Sequence, residues 1–370
     1  MKKKNAKRIE FKLGELFCGP GGIALGASNA KVSDKDNEYS IHHVWANDYH
    51  EDTCATYKHN FPEVEVICGD VKKLDIKKLK PIDCFAYGFP CNDFSIVGET
   101  KGLKGEFGGL YKFGINVINQ FNPKFFVAEN VGGLTSANEG KAFKKIVADL
   151  SKCGKNGYEL TIHKYKFEDY GVPQTRHRII IVGIDKSLKL KYRVPSPTTL
   201  KNPVTTKQAF ENPPIPKDAF NNEPMKQSAV VVERLKFIKP GQNIWQTELP
   251  KHLQLNVKGA KMSQIYRRLD PNKPSYTMTG SGGGGTHGYH YKEDRALTNR
   301  ERARIQTFPD DYFFIGKYDS VRRQLGMAVP PHGAKIIFES ILKTFAGVEY
   351  KTIPANILES NAEEIILLQD

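Results

Sequence analysis

The sequence predicts an α/β protein, a doubly wound and mostly parallel sheet followed by a second, smaller domain. Three observations carry that expectation. Apolar runs at 12–17, 43–46, 64–68, 83–87, 125–128 and 178–182 recur between helical stretches, the alternation that parallel βαβ units leave in a chain. The first run passes straight into the glycine turn Cys18-Gly19-Pro20-Gly21-Gly22. From about residue 191 to 250 the alternation dissolves into proline-rich sequence such as Asn212-Pro213-Pro214-Ile215-Pro216, which marks a domain change.

The strand ends carry the chemistry. Glycines at a strand-to-helix turn let the backbone approach a ligand, with the helix amino end facing it. The second strand ends in Trp45-Ala46-Asn47-Asp48, and Asp48 lies 26 residues past Gly22. That is near the spacing of about 20 at which an acid meets ribose hydroxyls. The third ends in Gly69-Asp70-Val71, where Asp70 could accept from an adenine amino group with Val71 packing on the ring. Either carboxylate could instead cap a helix. No Gly-x-x-x-x-Gly-Lys-Ser/Thr loop is present, and Pro20 and Ala24 break the dinucleotide pattern. A nucleoside cofactor without a diphosphate is therefore expected, S-adenosylmethionine foremost. The fourth strand ends in Gly88-Phe89-Pro90-Cys91-Asn92, which sets Cys91 at the carboxyl edge where open α/β folds bind ligands. Taken alone, that cysteine reads either as a nucleophile or as a buried core thiol.

Charge narrows the partner. Fifty-five Lys and Arg against 41 Asp and Glu leave +14 over 370 residues, with a pI near 9.3, which favours a polyanion such as nucleic acid. The six cysteines, Cys18, Cys54, Cys68, Cys84, Cys91 and Cys153, include no Cys-x-x-Cys pair, so no metal site is expected. The opening Met1-Lys2-Lys3-Lys4 lacks an apolar core behind it, and no 18-residue apolar run occurs. A soluble, cytoplasmic protein with no membrane partner is expected.

In their order along 17–331 these motifs resemble the cytosine-C5 DNA methyltransferase family of bacterial restriction and modification systems. Phe17-Cys18-Gly19-Pro20-Gly21-Gly22 looks like the cofactor loop, and Gly88-Phe89-Pro90-Cys91 is similar to the nucleophile loop. Glu129-Asn130-Val131 resembles the second catalytic strand end, and Gln174-Thr175-Arg176-His177-Arg178 a Gln-x-Arg-x-Arg element. The segment Arg300 to Gln306, Phe308-Pro309-Asp310 and Gln324-Leu325-Gly326-Met327-Ala328-Val329-Pro330 resemble the closing motif. The resemblance implies a Rossmann-like S-adenosylmethionine-dependent fold, with Phe17, Gly19, Pro20, Gly22, Asp48, Asp70, Val71, Pro90 and Leu110 at the cofactor. It assigns 1–190 to catalysis and cofactor binding, 191–290 to target recognition, 291–345 to a closing segment packed back on the catalytic domain, and 346–370 to a tail.

Cytosine C5 is a poor nucleophile, so the ring must first be activated by a soft nucleophile adding at C6, the role the resemblance gives Cys91. Glu129 then acts at N3, where holding a proton at neutral pH would need a raised pKa. Arg176 and Arg178, two apart on an expected strand, would share one face. Arg178 is expected to orient Glu129 and the cytosine O2, and Arg176 to lie near a phosphate or behind the nucleophile loop. Duplex DNA hides C5 and C6, so the base must flip out of the stack. The glycine-rich stretch 96–109 reads as a closing lid. In the middle segment Arg234, Lys236, Lys239, Gln242, Asn243, Trp245 and Gln246 are types able to contact bases and phosphates. The run 280–285 could set bare amides against a phosphate. Three positions depart from the family pattern: Met327 for Asn, Asn92 for Gln and Phe107 for Arg.

The implied enzyme is a monomer on double-stranded DNA, with a companion restriction endonuclease an open matter. The rival expectations are a tRNA cytosine-C5 methyltransferase and a catalytically silent DNA-binding regulator.

Overall fold

The computed structural model describes residues 6–89, 109–135, 140–256, 262–280, 282, 285–360 and 364–367. Pro90, Cys91, Asn92, Phe107 and the rest of the expected lid up to residue 108 lie outside the described residues. The chain forms two units, one of 1–166, 177–197 and 333–370, the other of 167–176 and 198–332.

The larger unit holds one sheet of strands β1 (Lys7–Leu16), β2 (Lys31–Ser33), β3 (Asn37–Asp48), β4 (Glu65–Cys68), β5 (Cys84–Tyr87), β6 (Phe125–Val131), β7 (Tyr158–Lys166) and β8 (His177–Asp185). A short pair, β9 (Val194–Pro195) with β10 (Thr352–Ile353), stands apart, and β11 (Ile357–Ser360) and β12 (Glu364–Leu367) extend the main sheet. Its order is β12-β11-β7-β8-β6-β5-β1-β3-β2, with β4 also on β3. Strands β4, β3, β1, β5 and β6 are parallel, while β8 and β7 run antiparallel to their neighbours. The chain moves outward from β1 through β3 to β4, then returns to β5 on its other side. This switch at β1 opens a crevice at the carboxyl ends, where such folds bind ligands.

All six apolar runs expected to be strands fall on β1, β3, β4, β5, β6 and β8, with one-residue overhangs at Phe17, Val64 and Asp83. Between them lie helices α1 (Gly22–Ser28), α2 (Glu51–Asn60), α3 (Tyr111–Phe121) and α4 (Lys141–Lys152). Because neighbouring strand residues face opposite ways, β6 builds two cores at once. Phe126 joins the cluster of Phe85, Tyr87, Val117, Ile118, Phe143 and Ile146 under α3 and α4. Phe125 turns the other way and meets Phe11 at 5.6 Å and Phe345 of α9 (Pro331–Ala346) at 5.4 Å. Each fully buried aromatic contributes about 2–3 kcal/mol to holding the layers together.

The smaller unit carries short helices α5 (Thr206–Glu211), α6 (Ala229–Phe237), α7 (Asn299–Ile305) and α8 (Tyr318–Met327). One cluster packs Leu235, Ile238, Ile244, Tyr266 and Tyr289; another packs Phe210, Leu269, Met278, Leu297 and Ile305.

The compact units divide the chain at other positions than the expected functional boundaries. The larger unit runs to 197 rather than 190, and the closing segment 291–345 is divided at His332, with only 333 onward joining the larger unit. Residues 346–370 are no plain tail, since β10, β11 and β12 all take up strand pairing there. Residues 167–176 sit in the smaller unit because Gln174 bridges Ser275 and Thr175 donates to the Ser275 carbonyl at 2.7 Å. Among the described residues no helix is long and apolar enough to cross a membrane.

Candidate active site at the carboxyl edge of the sheet

Where β1 ends, the backbone turns sharply. Phe17, Gly19 and Gly21 all take positive φ, at 55°, 55° and 89°. Glycine adopts this region freely, whereas Phe17 does so at a cost of about 1 kcal/mol or more, the kind of strain that marks functional turns. Pro20 and Gly22 are buried in this turn.

A set of hydrogen bonds joins the turn to the next two strand ends. The Gly19 amide donates to Asp48 Oδ2 at 3.0 Å, and the Cys18 amide to the Asn47 carbonyl at 3.1 Å. Asn47, fully buried, donates through Nδ2 to the carbonyls of Ile67 and Gly69 at 2.8 and 3.0 Å. The Gly69 amide returns to the Asp48 carbonyl at 2.9 Å. Asp48 Oδ1 accepts from the amides of Tyr49 and His50. Asp70 Oδ1 caps the following turn by accepting from the Lys72 amide at 2.9 Å, and Oδ2 accepts from no described residue. The capping role left open for both carboxylates is realised by Asp70, whereas Asp48 holds two amides that precede α2.

The space above these ends is open. A β-carbon at Gly19 or Gly69 would meet nothing within 4 Å. Tyr49, directly after Asp48, leaves its ring 66% exposed beside His50. A nucleoside fits this arrangement, with carboxylates for its polar edge and an exposed ring for its flat face. Val71 and Leu110 lie buried in the main core. Sequence reasoning passed over Asn47 and Tyr49, although both flank the acid it singled out.

On the other side of β1, the antiparallel direction of β8 builds the second half of the site. Val131 pairs with Arg178 and Glu129 with Ile180, so the first turn of β8 lies beside the last of β6. Glu129 and Arg178 are diagonal neighbours on one face, and Arg178 Nε stands 2.8 Å from Glu129 Oε1. Both side chains are largely buried, at 13% and 12% exposure, and Arg178 Nη1 also donates to the His177 carbonyl at 2.8 Å. Low solvent exposure strengthens such a charge-assisted bond. The space opposite is tight, because a β-carbon at Gly88 would press to 3.0 Å from Glu129 Oε2. Asn130, also missed in the sequence, donates through Nδ2 to the Phe89 carbonyl at 3.1 Å and accepts from the Val131 amide at 2.9 Å. It ties the end of β6 to the segment that leads to Cys91, which itself lies outside the described residues.

Arg176 does not share a strand face with Arg178. Strand β8 begins only at His177, and the Arg176 side chain is fully buried within the smaller unit. There its Nη1 donates to the Met278 carbonyl at 3.2 Å and its Nη2 to that of Gly326 at 2.9 Å. Gln174 works beside it, accepting from the Met278 amide at 2.8 Å and donating to Gln306 Oε1 at 3.1 Å. Two residues of the Gln-x-Arg-x-Arg element therefore knit the smaller unit, and the third faces Glu129. Arg176→Met should strip buried carbonyls of their donors and destabilise the protein by about 3 kcal/mol. A lowered urea midpoint checks this, and an unchanged one would refute the buried network.

Comparison with known proteins agrees with this geometry. The family model for C-5 cytosine-specific DNA methylases matches residues 11–343. The chain is 55% identical to Type II methyltransferase M.BbvI of Brevibacillus brevis, over 97% of this chain and 98% of that protein. It is 42% identical to Type II methyltransferase M.NgoFVII of Neisseria gonorrhoeae, over 92% and 89%. In fold it is similar to the crystal structure of a prophage-encoded protein of E. coli, with a TM-score of 0.70 at 24% identity, covering 90% of this chain and 99% of that one. With the glycine turn, the two acids after β3 and β4 and the Glu129–Arg178 pair at one sheet edge, the chain belongs to the C-5 cytosine-specific DNA methylase family.

Proposed function

We propose that this protein methylates C5 of a cytosine flipped out of duplex DNA at a defined sequence, as the modification enzyme of a restriction-modification system. The Type II names of its relatives support the last point. The observation that carries the chemistry is the largely buried Glu129–Arg178 pair opposite Gly88.

The residues divide the work as follows. S-adenosylmethionine, when bound, supplies the electrophilic methyl group. Asp48 would receive its ribose hydroxyls, Asp70 its adenine amino group, and Tyr49 would stack on the ring. The turn from Phe17 through Gly19, Pro20 and Gly22, with Pro90, Val71 and Leu110, shapes the rest of that pocket. Cys91, as thiolate, forms a bond to cytosine C6, and the electron pair moves into the ring. Glu129, in its protonated form, donates to N3 while that density develops, and Arg178 fixes the Glu129 carboxyl and reaches the O2 edge. C5 then takes the methyl group, loses its proton to a base or water, and the C6–S bond breaks to release Cys91. The smaller unit, with its middle segment, reads the DNA sequence. The protein acts as a monomer in the cytoplasm.

Expression in a host lacking cytosine methylation, with 5-methylcytosine mapped across its genome, tests this. Methylation at one recurring sequence is expected, and its absence would contradict the proposal. For the cofactor half, Tyr49→Ala should weaken S-adenosylmethionine binding about tenfold, with Tyr49→Phe close to wild type. Calorimetric titration measures both; equal affinities for all three proteins would remove Tyr49 from the pocket.

A further inference from the structure

Two thiols outside the methyl-transfer chemistry meet at the edge of the cofactor pocket. Asp48, the last residue of β3, pairs in register with Cys68, the last residue of β4. Its carbonyl accepts from the Gly69 amide at 2.9 Å and from Cys54 Sγ at 3.3 Å. One oxygen thus anchors both the residue after Cys68 and the first turn of α2. The Cys68 side chain completes the contact, lying within hydrogen-bonding reach of the Cys54 thiol.

Strand and helix periodicity bring the pair together. Val66 packs with Ala46 and with Tyr57 of α2, and Cys68, two residues on, shares that face of β4. Cys54 lies with Tyr57 on the buried side of α2. The two sulfurs differ in access, Cys68 being exposed and Cys54 only 5% exposed. An oxidant from solvent meets Cys68 first, with a second thiol already in contact behind it, the arrangement of a sensing thiol beside a resolving one. Burial and the neighbouring Cys68 both push the Cys54 thiol up, so it keeps its proton until an oxidised neighbour draws on it.

A bond between these sulfurs acts on the cofactor residues. Asp48 Oδ1 holds the amides of Tyr49 and His50, and the His50 carbonyl accepts from the Cys54 amide at 2.9 Å. On the other strand Cys68 leads through Gly69 to Asp70. A disulfide sets its sulfurs about 2 Å apart, closer than hydrogen-bonded thiols stand. Closing it takes Cys54 Sγ from the Asp48 carbonyl and draws the first turn of α2 toward the end of β4, with Asp48, Tyr49 and Asp70 in the segments that shift.

We propose that Cys54 and Cys68 form a reversible disulfide on exposure to a peroxide, and that this bond weakens binding of S-adenosylmethionine. The switch rests on Asp48, Tyr49 and Asp70 holding that cofactor. Hydrogen peroxide transfers one oxygen to the Cys68 sulfur, giving a sulfenic acid and releasing water. The Cys54 sulfur then bonds to that of Cys68, the S–O bond breaks, and the oxygen leaves as water with the Cys54 proton. Two thiols are oxidised and one peroxide is reduced to two waters. A thiol reductant reverses the bond by exchange, so in a reducing compartment it lasts only as long as the oxidant.

The Cys91→Ala protein, which cannot oxidise at the nucleophile, tests the switch. Treated with hydrogen peroxide, alkylated at its remaining thiols, digested and mapped by mass spectrometry, it should yield a peptide pair joined through Cys54 and Cys68. Calorimetric titration should show S-adenosylmethionine binding weakened about tenfold, the scale of one disturbed charge-assisted hydrogen bond, and restored by dithiothreitol. Cys68→Ser in the same background, an exposed change, should form no such link and keep its affinity through the peroxide treatment. An absent link, one that joins Cys54 to Cys18, or a link formed with affinity unmoved overturns the switch, as does an equal loss of affinity in Cys68→Ser. Untreated protein separates the two levels, because its failure to bind S-adenosylmethionine would speak against the cofactor assignment, while the peptide map still decides whether the disulfide forms.

Discussion

Glu129→Gln is expected to slow methyl transfer by about 10²- to 10⁴-fold while leaving cofactor affinity near that of the parent protein. The carboxyl group is shielded on one side by the strand, on another by Gly88, and is held by Arg178 Nε at 2.8 Å. An amide of the same shape keeps the packing but loses the charge that Arg178 answers, leaving a largely buried guanidinium poorly paired. Arg178→Met should therefore produce a loss of similar size. The double variant should be little worse than either single one, because residues that act as a unit are not additive. Gly88→Ala offers an orthogonal approach, since its methyl group would press on Glu129 Oε2 without touching the charges. Single-turnover methylation of duplex DNA measures all four. Fully additive losses for Glu129 and Arg178 would show that the ion pair is not the working unit.

Cys91→Ala should abolish turnover while DNA and S-adenosylmethionine still bind. No other thiol is placed to replace it. Burial pushes the thiols of Cys18, Cys54 and Cys84 well above the ordinary range, and that of Cys153 up to about 12. A thiol so raised holds almost no thiolate at neutral pH and cannot attack a pyrimidine. Cys68 is exposed, but it stands at the end of β4 on the cofactor side of β1. Cys91→Ser should behave much like Cys91→Ala, because a serine hydroxyl without a base is a far weaker nucleophile. Methyl incorporation by Cys91→Ala at even a tenth of the parent rate would remove the covalent step from the mechanism.

Much of this was legible in the residues, and the physical reason is the strand end. Each parallel strand is a short apolar run closed by a glycine or an acid, so the β1 turn, Asp48 and Asp70 could be read off in order. Strand β7 was passed over although Tyr158-Glu159-Leu160-Thr161-Ile162-His163 alternates apolar and polar residues, because unbroken apolar runs alone were read as strands. The direction of β8 was also hidden, since an apolar run carries no sign. That direction is what brings Arg178 to Glu129 and separates it from Arg176. The interleaving of the units was illegible for a related reason. Bonds to residues a hundred or more positions on, such as those of Gln174 and Thr175 with Ser275, place 167–176 in the smaller unit. Side chains that act through backbone carbonyls, such as Asn47 and Asn130, leave no pattern in sequence at all.

The central claim is a covalent bond from Cys91 to the target base, formed beside the Glu129–Arg178 pair. Duplex DNA carrying 5-fluorocytosine at the methylated position blocks the final loss of the C5 substituent, so the adduct should persist. Incubated with the protein and S-adenosylmethionine, then digested and analysed by mass spectrometry, it should yield one cross-linked peptide with the base on Cys91. An absent adduct, or one carried by Cys68 or any other residue, would contradict the account.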